Sequence, residues 1–170
     1  MTHALRFVTL SASALAALVA KDLAAACAEA RIELPEYFVS EDALWLWRLR
    51  HDQVVAEPAS GEWVARAVVA EPDDIVVGYA GYHGPPDDNG MVEIGYTVLP
   101  EHRRQGYARA ILRALIERAV AEPEVRVVRV TISPDNIASL ATIAGIGFVY
   151  VGEQWDDEDG RELIFELPAD

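Results

Sequence analysis

The chain has 170 residues, 52% of them hydrophobic and 25% charged, which is enough apolar material for a packed core and too little polar bias for disorder. Its net charge of −14 argues against a nucleic-acid partner, because binding to phosphate backbones rests on lysine and arginine. One cysteine excludes an internal disulfide framework and fits a reducing, cytoplasmic setting, while the scattered histidines His3, His51, His83 and His102 have no zinc-ligand spacing, so no metal is expected.

Residues 5–10 read as a first strand. Ser11 or Ser13 can cap a helix predicted to run to about residue 30, since Leu15, Leu18, Val19, Leu23, Ala26, Cys27 and Ala30 trace one apolar face. That periodicity marks a mature amphipathic helix rather than a cleaved leader, and no apolar run approaches the ~18 residues needed to span a bilayer, so no membrane partner is expected. Ser40 offers the cap of a second helix over residues 43–55, carrying Trp45 and Trp47. Two positions apart, these tryptophans cannot share a helix face, so the pattern sends one to the core and leaves the other available to line a site.

Strands follow over residues 63–70 and 75–82, joined by the turn Glu71-Pro72-Asp73-Asp74, and a wider acidic turn at residues 84–90 leads into the next strand. There Val92, Ile94, Tyr96 and Val98 alternate with Glu93, Gly95 and Thr97 until Pro100 stops the ladder. From Gly106 to residue 121 the period is helical, with Ala108, Ile111, Leu112, Leu115, Ile116 and Ala119 on one stripe. Val128, Val130 and Ile132 make a fifth strand, and Asn136 opens a helix to about residue 144 that Gly145 and Gly147 end. A hairpin of residues 148–155 and 162–167 closes the chain across an acidic turn. The sum is a mixed α/β chain of about seven strands and four helices, with no repeat or linker, expected to form a single domain over 1–170.

A strand, a short polar turn and a helix opening at glycine present unpaired backbone N–H groups at the positive end of a helix dipole, which makes an anion site. Charge agrees: between Arg103 and Arg118 there are five arginines against one acid, Glu117. The turn lacks both GxxxxGK[ST] and GxGxxG, so it is neither a P-loop nor a dinucleotide fingerprint. Arg103-x-x-Gly106-x-Ala108, after a strand carrying Glu93-Ile94-Gly95-Tyr96, resembles motif A of the GNAT acetyltransferases. Ser133-Pro134-Asp135-Asn136-Ile137-Ala138-Ser139 with Gly147-Phe148 is similar to the family's second signature, in the form of its RimJ/RimL-type branch.

The resemblance implies a GNAT-like fold, with a central mixed, mostly antiparallel sheet flanked by helices. It also implies an N-acetyltransferase that passes the acetyl group of acetyl-CoA directly to a primary amine, at a protein N-terminus or on a small cationic molecule, in a ternary complex. Val98 would offer backbone to the pantetheine arm, Arg103, Arg104, Gln105, Gly106, Tyr107, Ala108 and Arg109 would surround the pyrophosphate, and Asn136 would touch the cofactor arm. Asn136 reads equally well as a plain helix cap. The resemblance leaves homodimerisation open, and a non-catalytic acyl-CoA-binding module is the alternative function.

The chemistry requires an amine lone pair. Deprotonating a lysine-like amine of pKa about 10.4 at neutral pH is uphill by roughly 4–5 kcal/mol, and an α-amino group near 7.7–8.0 needs far less help. A carboxylate beside the amine serves as base, directly or through water; Glu93 matches the strand glutamate with that role in some family members. The tyrosine that many of them place seven residues after the asparagine is here Ile143. Ser139 is the substitute general acid that the branch pattern suggests, with Tyr96, Tyr107 and Tyr150 as alternatives. Acidic loops at Asp73-Asp74, Asp87-Asp88 and Asp156-Asp157-Glu158-Asp159 would attract a cationic acceptor if they rim its site.

Overall fold

The computed structural model describes residues 3–157 and 160–169. Strand β1 (Leu5–Thr9) runs into Ser11, whose side-chain oxygen accepts the Ala14 amide and starts α1 (Ala12–Val19). The long helix expected here is two helices. Lys21 takes a left-handed backbone (φ 57°) that closes α1, and the Asp22 carboxylate accepts the Ala25 amide at 3.0 Å to start α2 (Leu23–Ala30). Both pieces keep the apolar stripe inward, with Leu15, Leu18, Ala26 and Ala30 buried in one cluster.

Helix α3 (Glu41–Ala56) follows, then a 3₁₀ turn at Pro58–Glu62 and strand β2 (Arg66–Ala70). The strand starts three residues later than expected, because the amides of Trp63 and Val64 both turn back to the Ser60 carbonyl. Strands β3 (Ile75–Tyr82) and β4 (Met91–Val98) precede α4 (Tyr107–Ala121), and β5 (Val127–Ile132) precedes α5 (Ile137–Ile143). The closing hairpin is β6 (Val149–Asp156) and β7 (Gly160–Pro168), while Glu158 and Asp159 of its acidic turn lie outside the described residues. The helices among the described residues thus number five rather than four.

The sheet runs β1-β2-β3-β4-β5-β7-β6, antiparallel throughout except where β4 meets β5 in parallel. One cluster packs α1, α2 and α3 on β1–β3, with Trp47 fully buried, its Nε1–H donated to the Phe38 carbonyl at 2.7 Å. A second cluster packs α4 across the opposite face, where the Tyr82 hydroxyl donates to the Leu115 carbonyl at 2.6 Å.

The β4–β5 seam positions the site. Its register covers only Met91–Glu93 against Val127–Arg129, and beyond that the two strands diverge. On the β3 side, the His83 amide donates to the Glu93 carbonyl and the Leu99 amide to the Val77 carbonyl, so odd-numbered β4 residues turn their backbone to β3 and even-numbered ones away. Tyr96 and Val98 therefore aim their backbone groups into the gap, with no registered β5 partner.

Candidate active site

At one end of the gap stands the basic turn. Gly106 caps α4 with φ 90°, and Arg104 also has positive φ (60°), which turns successive amides the same way at the start of a 15-residue helix. The backbone at Gly106 is open on its outer side: an added side chain would meet only the ring of His3, at 3.4 Å. Arg103 donates its Nε–H to the Val98 carbonyl at 3.1 Å, tying the turn to the strand end, and Gln105 donates to the Glu101 carbonyl at 3.0 Å. His3, which the sequence marks only as one of four scattered histidines, donates Nε2–H to the Gln105 carbonyl at 2.7 Å and packs tilted against Tyr107 with ring centroids 4.1 Å apart. The Arg109 guanidinium reaches toward Gly145, where a side chain would begin 3.9 Å away.

At the other end lies a cleft of about 1180 Å³, walled by α3, the ends of β3 and β4, β5, α5 and the β6–β7 hairpin. Glu93, Asn136, Ser139 and Ile143 line it, so the predicted catalytic residues and the second-signature asparagine come together there; Val98 and Arg103 to Arg109 do not line it. The Glu93 side chain is largely covered (16% exposed) and accepts a hydrogen bond from the Thr131 hydroxyl at 2.6 Å. His83 Nδ1 stands 3.5 Å from the same carboxylate oxygen. Arg50, buried on α3, donates to the His83 carbonyl at 3.0 Å and to Gln53 Oε1 at 2.9 Å; burial pushes its guanidinium below the ordinary arginine value, and Glu93 pulls it up. His83 and Arg50 were missed because nothing in their local sequence marks them, although counting the β3–β4 hairpin back from its turn places residue 83 opposite 93.

Asn136 caps α5, its side-chain oxygen accepting the Ser139 amide at 3.1 Å. Ser139 and Thr142 sit beside the Tyr96 hydroxyl, which burial pushes above the ordinary tyrosine value against the pull of those two neighbours. Of the other tyrosines, Tyr107 belongs to the basic turn and Tyr150 packs on Phe165 at the sheet edge, 5.8 Å between ring centroids. Ile143, seven residues after Asn136, is buried at 6% exposure. The tryptophan pair divides: Trp47 is core, and Trp45, 49% exposed, lines the cleft with Trp155.

Charge divides less cleanly than the loops suggested. Asp52, Glu93, Asp156, Asp157 and Glu162 line the cleft beside Arg48, Arg50 and Arg66, five acids to three arginines. Asp73, Asp74, Asp87 and Asp88 are not among its lining residues. Asp74 pairs with Arg6, and Asp87 accepts the amides of Asn89 and Met91 to hold its own turn. Among the described residues no cluster of three or more histidine, cysteine or acidic side chains could hold a metal, and no helix is long and apolar enough to cross a membrane.

An anion turn and a polar cleft are joined by a strand whose gap-facing side has no registered strand partner at Tyr96 and Val98. Residues 5–149 match the family model described as the acetyltransferase (GNAT) domain. The chain belongs to the GNAT acetyltransferases, the family its two signatures resemble. It is 36% identical over 74 residues, 44% of each chain, to the uncharacterized N-acetyltransferase YjdG of Bacillus subtilis. It is also 32% identical over 114 residues to the L-2,4-diaminobutyric acid acetyltransferase of Nocardia farcinica, covering 62% of this chain and 58% of that one. The chain thus spans about half the length of these curated relatives. The ribosomal-protein-S5-alanine acetyltransferase of Vibrio fischeri shares the fold at a TM-score of 0.66 and 15% identity, covering 100% of this chain and 94% of its own.

Proposed function

We propose that residues 1–170 act as one acetyl-CoA-dependent domain that acetylates a primary amine bound in the cleft. The observation that carries this reading is the splayed seam, where β4 runs from the basic turn to the carboxylate of Glu93 with no registered β5 partner beyond Glu93. GNAT acetyltransferases use acetyl-CoA, and the residues present fit it: open amides at a helix N-terminus suit a diphosphate, and the gap suits an extended amide-bearing arm. The amides at Arg104, Gln105, Gly106, Tyr107 and Ala108, with the guanidinium groups of Arg103, Arg104 and Arg109, would hold the phosphates. The backbone of Tyr96 and Val98 would hold the arm, with Asn136 across the gap from them. When bound, acetyl-CoA supplies an activated acetyl group on sulfur.

The protein's own residues bring the amine to that end of the gap, and much of the rate comes from holding the two reactants together. Glu93 puts negative charge beside the amine, at the proton-accepting side. Ser139 and the buried hydroxyl of Tyr96 stand where a leaving thiolate would be stabilised, in place of the absent tyrosine. The acidic majority in the cleft, with Trp45 and Trp155 exposed in its walls, favours a cationic amine. The relatives named above act on a diamino acid and on a ribosomal-protein alanine, so the cleft's acceptor is either a small cationic amine or a basic peptide N-terminus.

Thiol release from acetyl-CoA across a library of diamines, polyamines and peptides tests this directly. A cationic amine is expected to give product and the highest kcat/KM. Buried Ile143 favours a second reading, an acyl-CoA-binding module without turnover; tight coenzyme A binding with no thiol release from any amine would establish it.

A further inference from the structure

We propose that His83 is the residue that takes the proton from the acceptor amine, with Glu93 acting as the group that orients its ring. The inference rests on the transferase reading and names the atom that performs its proton transfer. The His83 backbone is fixed from both sides: its amide donates to the Glu93 carbonyl at 2.8 Å, and its own carbonyl accepts from Arg50 at 3.0 Å and from Gln53 at 2.8 Å. The side chain remains open, 49% exposed against 16% for Glu93, and it lines the cleft. The carboxylate is engaged by Thr131, so the imidazole is the more accessible base.

With Nδ1 at 3.5 Å from Glu93 Oε1, the carboxylate favours the tautomer that carries its proton on Nδ1 and leaves a lone pair on Nε2. Gly95 makes room for that ring. A side chain there would begin 3.0 Å from Nε2, close enough to push the imidazole out of line with the carboxylate. The charged groups acting on the ring are Glu93 from β4 and Arg50 from α3; Thr131 from β5 is neutral, and Asp52, Asp156, Asp157, Glu162, Arg48 and Arg66 share the same cleft. The cleft walls desolvate the imidazolium and push His83 below the ordinary histidine value; Glu93 opposes this shift and Arg50 adds to it. At neutral pH the imidazole is therefore uncharged and able to accept a proton. As the amine nitrogen bonds to the acetyl carbon, the carbon–sulfur bond breaks, its electron pair leaves on sulfur, and the proton lost by nitrogen passes to Nε2.

Activity is expected above the His83 pKa and lost as pH falls through it, below the ordinary histidine range. His83→Gln should lower kcat/KM about a hundredfold or more and remove that acidic limb, with coenzyme A affinity and thermal unfolding unchanged because the backbone bonds remain. His83→Ala leaves space above Gly95, and added imidazole should restore part of the rate. Glu93→Gln should keep an acidic limb but move it to lower pH, since the charge that raises the His83 pKa is gone. If His83→Gln keeps the limb while Glu93→Gln abolishes it, Glu93 is the base and the proposal falls. A folded His83→Ala that imidazole does not rescue overturns it as well. Wild-type protein that binds coenzyme A but acetylates no amine overturns the transferase reading first, and this inference with it.

Discussion

The sheet has two unlike halves. Strands β1 to β3 are sandwiched, with α1, α2 and α3 on one face and α4 on the other, and every residue of β2 is buried. Strands β5, β7 and β6 are covered on one face only, and β6 exposes Val149, Tyr150, Val151 and Trp155, the last at 76%. A strand with both faces covered reads as a continuous apolar run, as Val68 and Val69 do. The bare face of the second half is a wall of the cleft. The difference separates stability from binding: apolar burial is densest around β2 and β3, and Trp45 and Trp155 stand exposed in the cleft walls.

The largest effect expected from that contrast is on stability. Trp47→Ala, in the covered half, should lower unfolding free energy by about 3–5 kcal/mol, whereas Trp155→Ala should stay within about 0.5 kcal/mol of wild type. Equal losses in denaturant unfolding would erase the distinction between the halves. Gly106→Asp should come next. It adds bulk and negative charge at an anion site, so coenzyme A affinity by calorimetry should fall about ten- to a hundredfold, the value of a charged hydrogen bond. An unchanged affinity in the folded variant would remove the turn from cofactor binding.

Smaller changes sharpen the same contrast at the cleft. Trp155→Ala should raise KM for a cationic amine about two- to fivefold, what a cation–π contact of about 0.5–1 kcal/mol supplies at an exposed position, while KM for acetyl-CoA stays put. A parallel rise in both would make Trp155 a general structural residue. The slightest effect is electrostatic: kcat/KM for cationic amines should decline a few-fold relative to neutral ones as salt shortens the Debye length below about 8 Å. No difference between the two amine classes would leave the cleft's acids as solvated surface.

The segment from β4 to α4 was legible because its signals are local: alternation, a proline stop, then glycine and a helical stripe. The two-cluster packing of the helices was not written in any single window. The break at Lys21 escaped the periodicity because both short helices keep their apolar residues, Leu15, Leu18, Ala26 and Ala30, in one buried cluster. Trp63 read as strand by composition, yet the backbone of Ser60 claimed its amide. At the site, Glu93 stood out from its neighbours as a charge in an apolar strand. His83 did not, since its value comes from cross-strand register with Glu93 and from Arg50 thirty-three positions away. His3 reaches Gln105 across 102 residues and left no local trace at all.

The short β4–β5 register also bears on how the backbone exchanges with solvent. Amides of β4 that face β3, such as those of Gly95 and Thr97, sit in a continuous ladder and should hold their protons against deuterium. Those of Tyr96 and Val98 face the gap, so in the free protein they should label early despite lying in the middle of the sheet. An acyl carrier arm lying along the gap would supply the missing strand, and those two amides would then become slow. The protein would thus record occupancy as a protection pattern that alternates residue by residue along one strand.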